Sequence, residues 1–530
     1  MTDWDVIVAG AGHNSLVSAA YLAKAGFRVL VLEAEARIGG DAATDELTLP
    51  GYLHDTCSTA HTLLQSSPTL ARDELRLGDF GLEYIRPDPV VHVPFPDGSA
   101  LTMWRDMDRT AAEFAKYSAS DAASYRAMLE AYGAAAPAFT GWRYTPIGRG
   151  PSLDERLADV PGGHRWRRIR HLAAADIIMQ HFEDWRSRAF MLWMALMTMQ
   201  PPQRAGTGRL AYALAYGRQR HSWVVPKGGS QALPAALGRL IEAHGGTILT
   251  GKRVSGLLIE DDRCTGVETA DGERYLAGRA VLSTIHIKHL VNMAPAETWG
   301  EPFVDGVASW RAGISMCAAH YATTEPPRFD DGLAPLAAGT PTSAERILRV
   351  AEDFERGEVV LDDPVLLVLC PTVVDASRAP DGHHTLKVVG IQPYELEAGP
   401  ERWDDLMPQV AAANLDHLRG FAPNLTEDVI LATTLKSPLD LERMNAHNWH
   451  GSCHGGDMSP DQSGELRPAP GWADHRTPIP GLYQTGATTH PGGSVSAGPG
   501  RNAAIELLAD LGSSIDAAIA PDHPTTLVYH

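Results

Sequence analysis

Cysteine is scarce in this 530-residue chain, and no two cysteines are separated by only two residues. The five are scattered: Cys57, Cys264, Cys317, Cys370 and Cys453. This pattern argues against a disulfide framework and against the paired thiols of a disulfide reductase. Long apolar runs are also missing, since the stretch at 189–197 is too short to cross a bilayer. No secretory segment precedes the first predicted strand, so we expect a reduced, cytoplasmic protein.

Basic residues are also fewer than acidic residues. Lys and Arg number 45 against 65 Asp and Glu, which gives a formal net charge of −20. A protein that holds nucleic acid needs a basic face for the phosphates, so we expect no nucleic-acid partner. The basic run at 164–171 is an exception. A solvated helix face is its simpler interpretation, and contact with an anionic substrate, a membrane surface or a partner is the alternative.

The chain opens with a strand, a glycine turn, a helix and a second strand. An apolar run at 6–9 stops at Gly10, helical spacing of apolar residues follows at 16–22, and a second run at 27–32 ends in Glu33. This order, with an acidic residue at the tip of the second strand, predicts a dinucleotide-binding unit.

Each part of that unit has a task at a pyrophosphate-containing ligand. Gly10 permits the tight turn, and Gly12 lets the backbone approach the pyrophosphate. The helix N-terminus offers N–H groups and partial positive charge, and Glu33 can accept hydrogen bonds from ribose hydroxyls. Ser15 stands where a third glycine is usual, which should slightly loosen the packing of helix on strand. The predicted ligand contacts here are Gly10, Gly12, His13, Asn14, Ser15 and Glu33.

A second glycine pair follows closely at Gly39 and Gly40, and Arg37 before it is a candidate for charge pairing. The opening Gly-Ala-Gly-His-Asn-x-Leu, Glu33 and Arg-x-Gly-Gly resemble the phytoene desaturase-related flavoproteins, and most of all the branch of pyridine nucleotide-disulfide oxidoreductase domain-containing protein 2. The resemblance implies an FAD cofactor and an α/β fold. It also implies a Rossmann-like FAD-binding domain of the glutathione reductase-like, phytoene desaturase and amine oxidase type, with a discontinuous α+β substrate domain.

The predicted FAD-binding domain comprises residues 1–74, 222–295 and 475–515, the substrate domain 75–221 and 296–474 with a helical insertion, and a loose tail 516–530. Predicted strands in the second FAD-binding segment are 247–250, 256–260, 264–269, 273–277 and 280–284. Predicted substrate-domain elements are helices near 107–118, 121–136, 171–199 and 401–421 and strands 364–369 and 385–392.

The resemblance assigns further flavin contacts. Val254 would meet the adenine end through its backbone. The glycine-rich turn at 480–495 would place a helix N-terminus beside the pyrimidine side of the isoalloxazine, where a helix dipole stabilises negative charge on the reduced flavin. The predicted contacts from these segments are Val254, Gly486, Gly493, Ser494 and Val495.

The substrate side is less strongly patterned. The run at 190–199, rich in methionine and aromatic residues, suits plain core or an apolar substrate channel. His490 is the first candidate for a catalytic base and His454 the second. The spacing of histidine and cysteine at 447–454 could suit a metal, but its glycines and the missing carboxylates lead us to predict none. Asp55 holds a backbone turn or lines the pocket.

We therefore expect an FAD-dependent dehydrogenase or desaturase that takes hydride from a hydrophobic, isoprenoid or polycyclic small molecule to flavin N5. The alternatives are C–N oxidation of an amine and a non-catalytic flavin-binding regulatory role. The electron acceptor stays open between oxygen, a quinone and a protein. Peripheral membrane contact is a secondary hypothesis, motivated by the apolar stretch at 190–199 and the basic run before it.

Overall fold

The computed structural model describes residues 4–519 and 524–530. Within them the strands, β1 to β19 in chain order, are Trp4–Ala9, Val29–Leu32, Thr44–Glu46, Leu53–Asp55, Glu83–Ile85, Val91–Pro94, Ala100–Met103, Val225–Pro226, Thr247–Leu249, Val254–Glu260, Arg263–Thr269, Arg274–Ser283, Met316–Thr323, Ala337–Gly339, Leu366–Leu369, His384–Ile391, Ile430–Lys436, Leu482–Gln484 and Val528–Tyr529. The α-helices, α1 to α17, are His13–Lys24, Pro68–Ala71, Met107–Ala115, Ala119–Arg143, Leu153–Ala158, Gly163–Ile169, Ala174–His181, Trp185–Leu196, Leu210–His221, Ala232–Ala243, Ile287–Leu290, Ala296–Trp299, Glu301–Ala308, Ala344–Glu355, Trp403–Arg419, Pro438–Met444 and Gly498–Asp510.

A parallel sheet carries the N-terminal unit. Its strands lie in the order β18-β12-β1-β2-β9, and each neighbouring pair is parallel. Val6, Ile7 and Val8 are fully buried because α1, α10 and α17 cover one face, while the β10–β12 meander and the α11–α13 region cover the other. Burial on both faces explains the unbroken apolar run in β1. The predicted α/β fold is confirmed.

One expectation about this sheet is wrong. The predicted strands 273–277 and 280–284 are a single strand, β12. Its first part pairs with β11 in antiparallel fashion, and its second part pairs with β1 in parallel fashion. Gly278 does not end the strand, because β12 passes from the meander into the parallel sheet without a turn.

A second, mainly antiparallel sheet forms the other half of the molecule, in the order β17-β13-β16-β15-β14-β6-β7. Helices α3 to α9 contribute the core on one side, and α15 packs on the other. The single helix predicted for 171–199 is wrong: α7 ends at His181 and α8 begins at Trp185. The side chain of Asp184 accepts a hydrogen bond from the Arg186 N–H at 2.8 Å, which caps a new helix.

The two stretches singled out for surface contact differ in exposure. Residues 190–196 are fully buried in the core between the helices and the second sheet, which supports the plain-core interpretation. In α6, Trp166 and Ile169 are buried while Arg165 and Arg168 are exposed, as in a solvated helix face. No helix in residues 4–519 and 524–530 is long and apolar enough to cross a membrane. Peripheral membrane contact stays a prediction.

The expected loose tail is wrong for residues 524–530. β19 pairs with β5 in parallel fashion, and the Thr526 N–H donates to the Asp73 carboxylate at 2.6 Å. Residues 520–523 of the predicted tail lie outside the described residues. The three segments expected for the FAD-binding domain all contribute strands to the parallel sheet, and the domain boundaries stay a prediction.

Candidate active site

The two glycine-rich turns lie together, although almost the whole chain separates them. Helices α1 and α17 are in contact, and the Ser18 hydroxyl donates to the Gly500 carbonyl at 2.7 Å. A Cβ on Gly500 would lie 2.1 Å from the Asn14 carbonyl oxygen, so only glycine allows this approach. The His13 imidazole contacts the backbone of Ser494. The N-termini of both helices therefore border one site.

The Ser15 side chain bonds to the first turn. Its hydroxyl donates to the carbonyls of Gly10 and Gly12, at 2.7 and 2.9 Å. Gly10 has a φ of +95°, and its N–H donates to the Leu32 carbonyl at 2.7 Å. The serine hydroxyl thus adds bonds to the turn that a third glycine could not make, and the expected looser packing of helix on strand stays a prediction.

The space beside Gly12 fits a cofactor. Gly12 is the N-cap of α1 with an ordinary φ of −66°, and a Cβ added there would meet nothing within 4 Å. His13 Nε2 and Asn14 Oδ1 are buried, and neither has a hydrogen-bond partner among the described residues. The unused His13 Nε2, which can donate a hydrogen bond, and the open space at a helix N-terminus suit a bound pyrophosphate.

Glu33 is held in place and retains acceptor capacity. Its two carboxylate oxygens accept the N–H groups of Ala11 and Glu35, at 2.6 and 2.9 Å. Burial raises the pKa of Glu33. Each carboxylate oxygen can accept a second hydrogen bond, which fits the predicted contact with ribose hydroxyls. The Lys252 N–H donates to the Glu33 carbonyl at 2.7 Å and thereby brings the start of β10, at Val254, to this end of the site.

The Arg37–Gly40 segment crosses the first turn. The Gly39 N–H donates to the Ala11 carbonyl at 2.8 Å, and a Cβ on Gly40 would lie 3.4 Å from the Gly12 Cα. Arg37 turns outward and forms an ion pair with Asp45 at 2.8 Å. The glycines therefore lie where a pyrophosphate would pass, and Arg37 lies at the rim. The contacts of all these residues with FAD stay predictions.

The second turn is strained and tightly covered. Ser494 and Ala497 have φ values of +84° and +60°, a conformation that L-residues rarely adopt. A Cβ on Gly486 would lie 2.7 Å from Thr284 Oγ1, and one on Gly493 would lie 2.5 Å from the His454 Cα. Val495 packs into the core with α1. Strain of this kind persists where the surrounding structure enforces it, often at ligand sites.

Arg467 holds this turn, and sequence reasoning missed it. Its fully buried guanidinium donates to the carbonyls of Ala487 at 2.6 Å and of Asp457 and Gln462 at 2.9 and 3.0 Å. A longer bond of 3.4 Å reaches the His454 carbonyl. Burial lowers the pKa of Arg467 to about 9. The residue ties the loop that carries His454 to the C-terminal glycine turn.

Three histidines adjoin the second glycine turn, and we infer that they border a cavity there. His13, His447 and His454 are only half-buried by area, yet burial lowers the pKa of each to about 4. A side chain that keeps accessible surface but is shielded from bulk water is expected to face an internal space. His447 contacts the Thr284 backbone. His450 points away from it, stacks on Tyr394 and lies near a carboxylate in the loop that contains Tyr394. These two histidines therefore do not converge on a metal.

His490, the first candidate for a catalytic base, is hydrogen-bonded to α4, and its role in catalysis stays a prediction. It is fully buried, its Nε2 donates to the Trp142 carbonyl at 3.1 Å, and its ring centroid lies 4.6 Å from that of Trp142. Its Nδ1 has no partner among the described residues. Burial lowers the pKa of His490 to about 3. Such a group is a weak proton acceptor at neutral pH.

The buried histidines predict acid sensitivity. The pKa is lowered to about 4 for His475, which is also fully buried, and to about 3 for His490, against about 6.5 in an unfolded chain. Their stabilising contribution is therefore complete above pH 6.5 and is lost as the pH falls towards 4, because the unfolded chain binds the protons. From pH 8 to pH 5 we expect each to remove about 2 kcal/mol. Thermal midpoints across this range check the slope. His475→Gln should flatten the slope and the exposed His164→Gln should not, and equal slopes in both variants would contradict the assignment.

The order of strands, the paired helix N-termini and the glycine turns can be compared with known proteins. The profile of the family described as "Flavin containing amine oxidoreductase" matches residues 16–499. The chain belongs to this family. It is an FAD-dependent oxidoreductase, and the predicted relationship to the phytoene desaturases is confirmed.

Three curated relatives extend along nearly the whole chain. Pyridine nucleotide-disulfide oxidoreductase domain-containing protein 2 of Mus musculus is 27% identical over 96% of this chain and 94% of its own length. A limonene dehydrogenase polypeptide of Castellaniella defragrans is 26% identical over 96% and 95%. The neurosporene-forming phytoene desaturase of Cereibacter sphaeroides is 26% identical over 98% and 95%.

Solved structures agree on the fold. A putrescine oxidase variant superposes with a TM-score of 0.62 at 14% identity, covering 96% of this chain and 98% of its own. An oxidoreductase from Methanosarcina mazei gives 0.60 at 16% identity, covering 96% and 100%. At these identities the likeness establishes the architecture of the two halves. The substrate has to be inferred from the residues of the site.

Proposed function

We propose that the protein is a dehydrogenase or desaturase of a hydrophobic, uncharged small molecule of isoprenoid or polycyclic type. When bound, FAD supplies a two-electron acceptor. The task of the chain is then to hold the substrate beside the cavity where the two turns meet and to exclude water from it. Relatives named for limonene and phytoene, which align along nearly the whole chain, support this substrate class.

The positive charge around the cavity favours a neutral substrate over an amine. After burial, the groups that lower the pKa of His454 are the guanidinium groups of Arg143 and Arg467, and both also lower the pKa of His490. An amine substrate carries a positive charge at neutral pH and would be repelled by these cations. A neutral hydrocarbon feels no such repulsion.

Aromatic side chains border the same region. Trp142 contacts His490 and lies on α4, which also carries Tyr132 and Phe139. These two rings stack at 5.6 Å, and both contact Trp166 edge to face. These three rings are buried in the core, so Trp142, which is partly exposed beside His490, is the ring placed to present apolar surface to a substrate.

Within the proposal, His454 and His490 act as neutral imidazoles. Because their pKa values are lowered to about 4 and about 3, neither is a good proton acceptor at neutral pH. We propose that His454 shapes the cavity wall and that His490 fixes α4 against the second turn. Substrate position, more than an added base, would then set the rate.

An anaerobic reduction screen tests the function. The FAD-loaded protein is mixed with cyclic and linear isoprenoids and, separately, with primary and secondary amines, while the visible absorbance of the oxidised flavin is followed. We expect bleaching with at least one isoprenoid and none with the amines. Bleaching by amines alone would establish C–N oxidation instead. A flavin that no donor class reduces would favour the non-catalytic alternative.

A further inference from the structure

Asp41 joins two segments that are far apart in sequence. Its backbone carbonyl accepts the Ser58 N–H at 3.1 Å. Its carboxylate oxygen Oδ1 accepts the side-chain amides of Asn445 and Asn448, at 2.9 and 3.0 Å. The segment that contains Cys57 is therefore held against the loop that leads to Cys453.

The two thiols meet at this junction. The side chains of Cys57 and Cys453 adjoin each other and interact. The Lys387 ammonium donates to the Cys57 carbonyl at 2.5 Å and to the Asp55 carbonyl at 3.2 Å, and its charge acts on both thiols. Cys57 and Cys453 keep some accessible surface, whereas the other three cysteines are buried. The pair is thus the one place among the described residues where two partly exposed cysteines adjoin.

We propose that Cys57 and Cys453 form a reversible disulfide in the folded protein. Neither motif spacing nor the proposed substrate chemistry assigns this site, and the scattered cysteines had led us to expect no dithiol pair. A bond between these residues would join the loop that follows β4 to the loop that precedes His454.

The bond can form by exchange with a low-molecular-weight disulfide such as oxidised glutathione. The thiolate of Cys453 attacks one glutathione sulfur, and the other glutathione leaves as a thiol. Cys57 then attacks the mixed disulfide and releases the second glutathione. Two protein thiols are oxidised, one glutathione disulfide is reduced to two thiols, and the two protons pass from protein to glutathione. The hydrogen bond with Cys453 and burial raise the pKa of Cys57, so the second step suits Cys57 better than the first.

Oxidation would act on the cavity wall. Cys453 directly precedes His454, whose Cα lies against Gly493 in the second turn. A disulfide would fix this loop to the segment after Asp55, which is itself paired with Arg378 at 3.0 Å. The loop that carries His454 would then be tied covalently to this segment, which restricts its movement.

Peptide mapping of the FAD-loaded protein tests the proposal. The protein is incubated with oxidised glutathione, free thiols are blocked with iodoacetamide, and the chain is cleaved with trypsin without reduction. Trypsin releases residues 38–72 and 444–476, which contain Cys57 and Cys453 as their only cysteines. We expect a linked pair of these peptides, lighter than their sum by two hydrogens, and about a tenfold loss of iodoacetamide labelling at both. Dithiothreitol should restore the labelling.

Single variants make the test specific. Cys57→Ser and Cys453→Ser should each abolish the linked peptide and leave glutathione attached to the remaining thiol. Cys264→Ser, at a buried cysteine elsewhere, should leave the link intact. The proposal is overturned if the wild-type protein yields only glutathione adducts or unmodified thiols at both positions. It is equally overturned if the linked peptides come from two different molecules, which gel filtration of the oxidised protein reveals.

Discussion

Gly12→Ala is expected to weaken FAD binding at least tenfold, or by about 1.4 kcal/mol or more, while leaving the fold intact. The φ of −66° suits alanine, and the added Cβ meets no protein atom within 4 Å. In the loaded protein the same methyl would occupy the space through which the backbone approaches the pyrophosphate. The free energy of unfolding without cofactor should change by less than about 1 kcal/mol.

Titration of the cofactor-free protein with FAD, followed by flavin fluorescence, measures the loss. Gly256→Ala is a matched control, because that glycine in β10 also has no atom within 4 Å of an added Cβ and no positive φ. It should bind FAD as the wild type does. Unchanged affinity in Gly12→Ala would show that the cofactor lies elsewhere.

Arg467→Met is expected to destabilise the protein by about 3–5 kcal/mol and to reduce FAD retention. The substitution leaves the buried carbonyls of Ala487, Asp457 and Gln462 without their donor, and an unsatisfied buried group costs about 1–3 kcal/mol. The loop that carries His454 would lose its tie to the second turn. Thermal midpoints with and without FAD, together with flavin content after gel filtration, give both effects.

Two further variants separate charge from geometry at this position. Arg467→Lys keeps a positive charge but cannot reach carbonyls on several sides, so it should recover only part of the loss. Arg239→Met removes an exposed guanidinium that donates to the Phe80 carbonyl at 2.9 Å, and it should change stability by less than about 0.5 kcal/mol. A wild-type midpoint in Arg467→Met would contradict the role given to the residue.

Structural features that are determined by residues close together in the sequence could be predicted from it. The first turn was foreseeable because Gly10, Gly12 and the helix that follows form a short contiguous pattern. The break between α7 and α8 also has a local cause, the Asp184 cap, but the continuous apolar spacing on either side of it masked the signal. The single helix was predicted because the apolar periodicity outweighed the signal of the capping residue.

The other features of the site depend on contacts between residues that are far apart in the sequence. Arg467 bonds only to backbone carbonyls, which every residue type possesses, so no pairing pattern marks its partners. Cys57 and Cys453 meet because Asp41 bonds to both segments, a contact that spacing along the chain does not reveal. The lowered pKa of His490 follows from burial, and burial of one histidine depends on the packing of α4 over the second turn.

The close contact of α1 with α17 has a consequence for biosynthesis. Helix α1 leaves the ribosome well before α17, which begins at Gly498. Until then Ser18 and Asn14 lack the neighbour that completes their surroundings. We therefore expect flavin capture only after α17 has been synthesised, and a premature stop codon upstream of α17 should yield a polypeptide that never turns yellow.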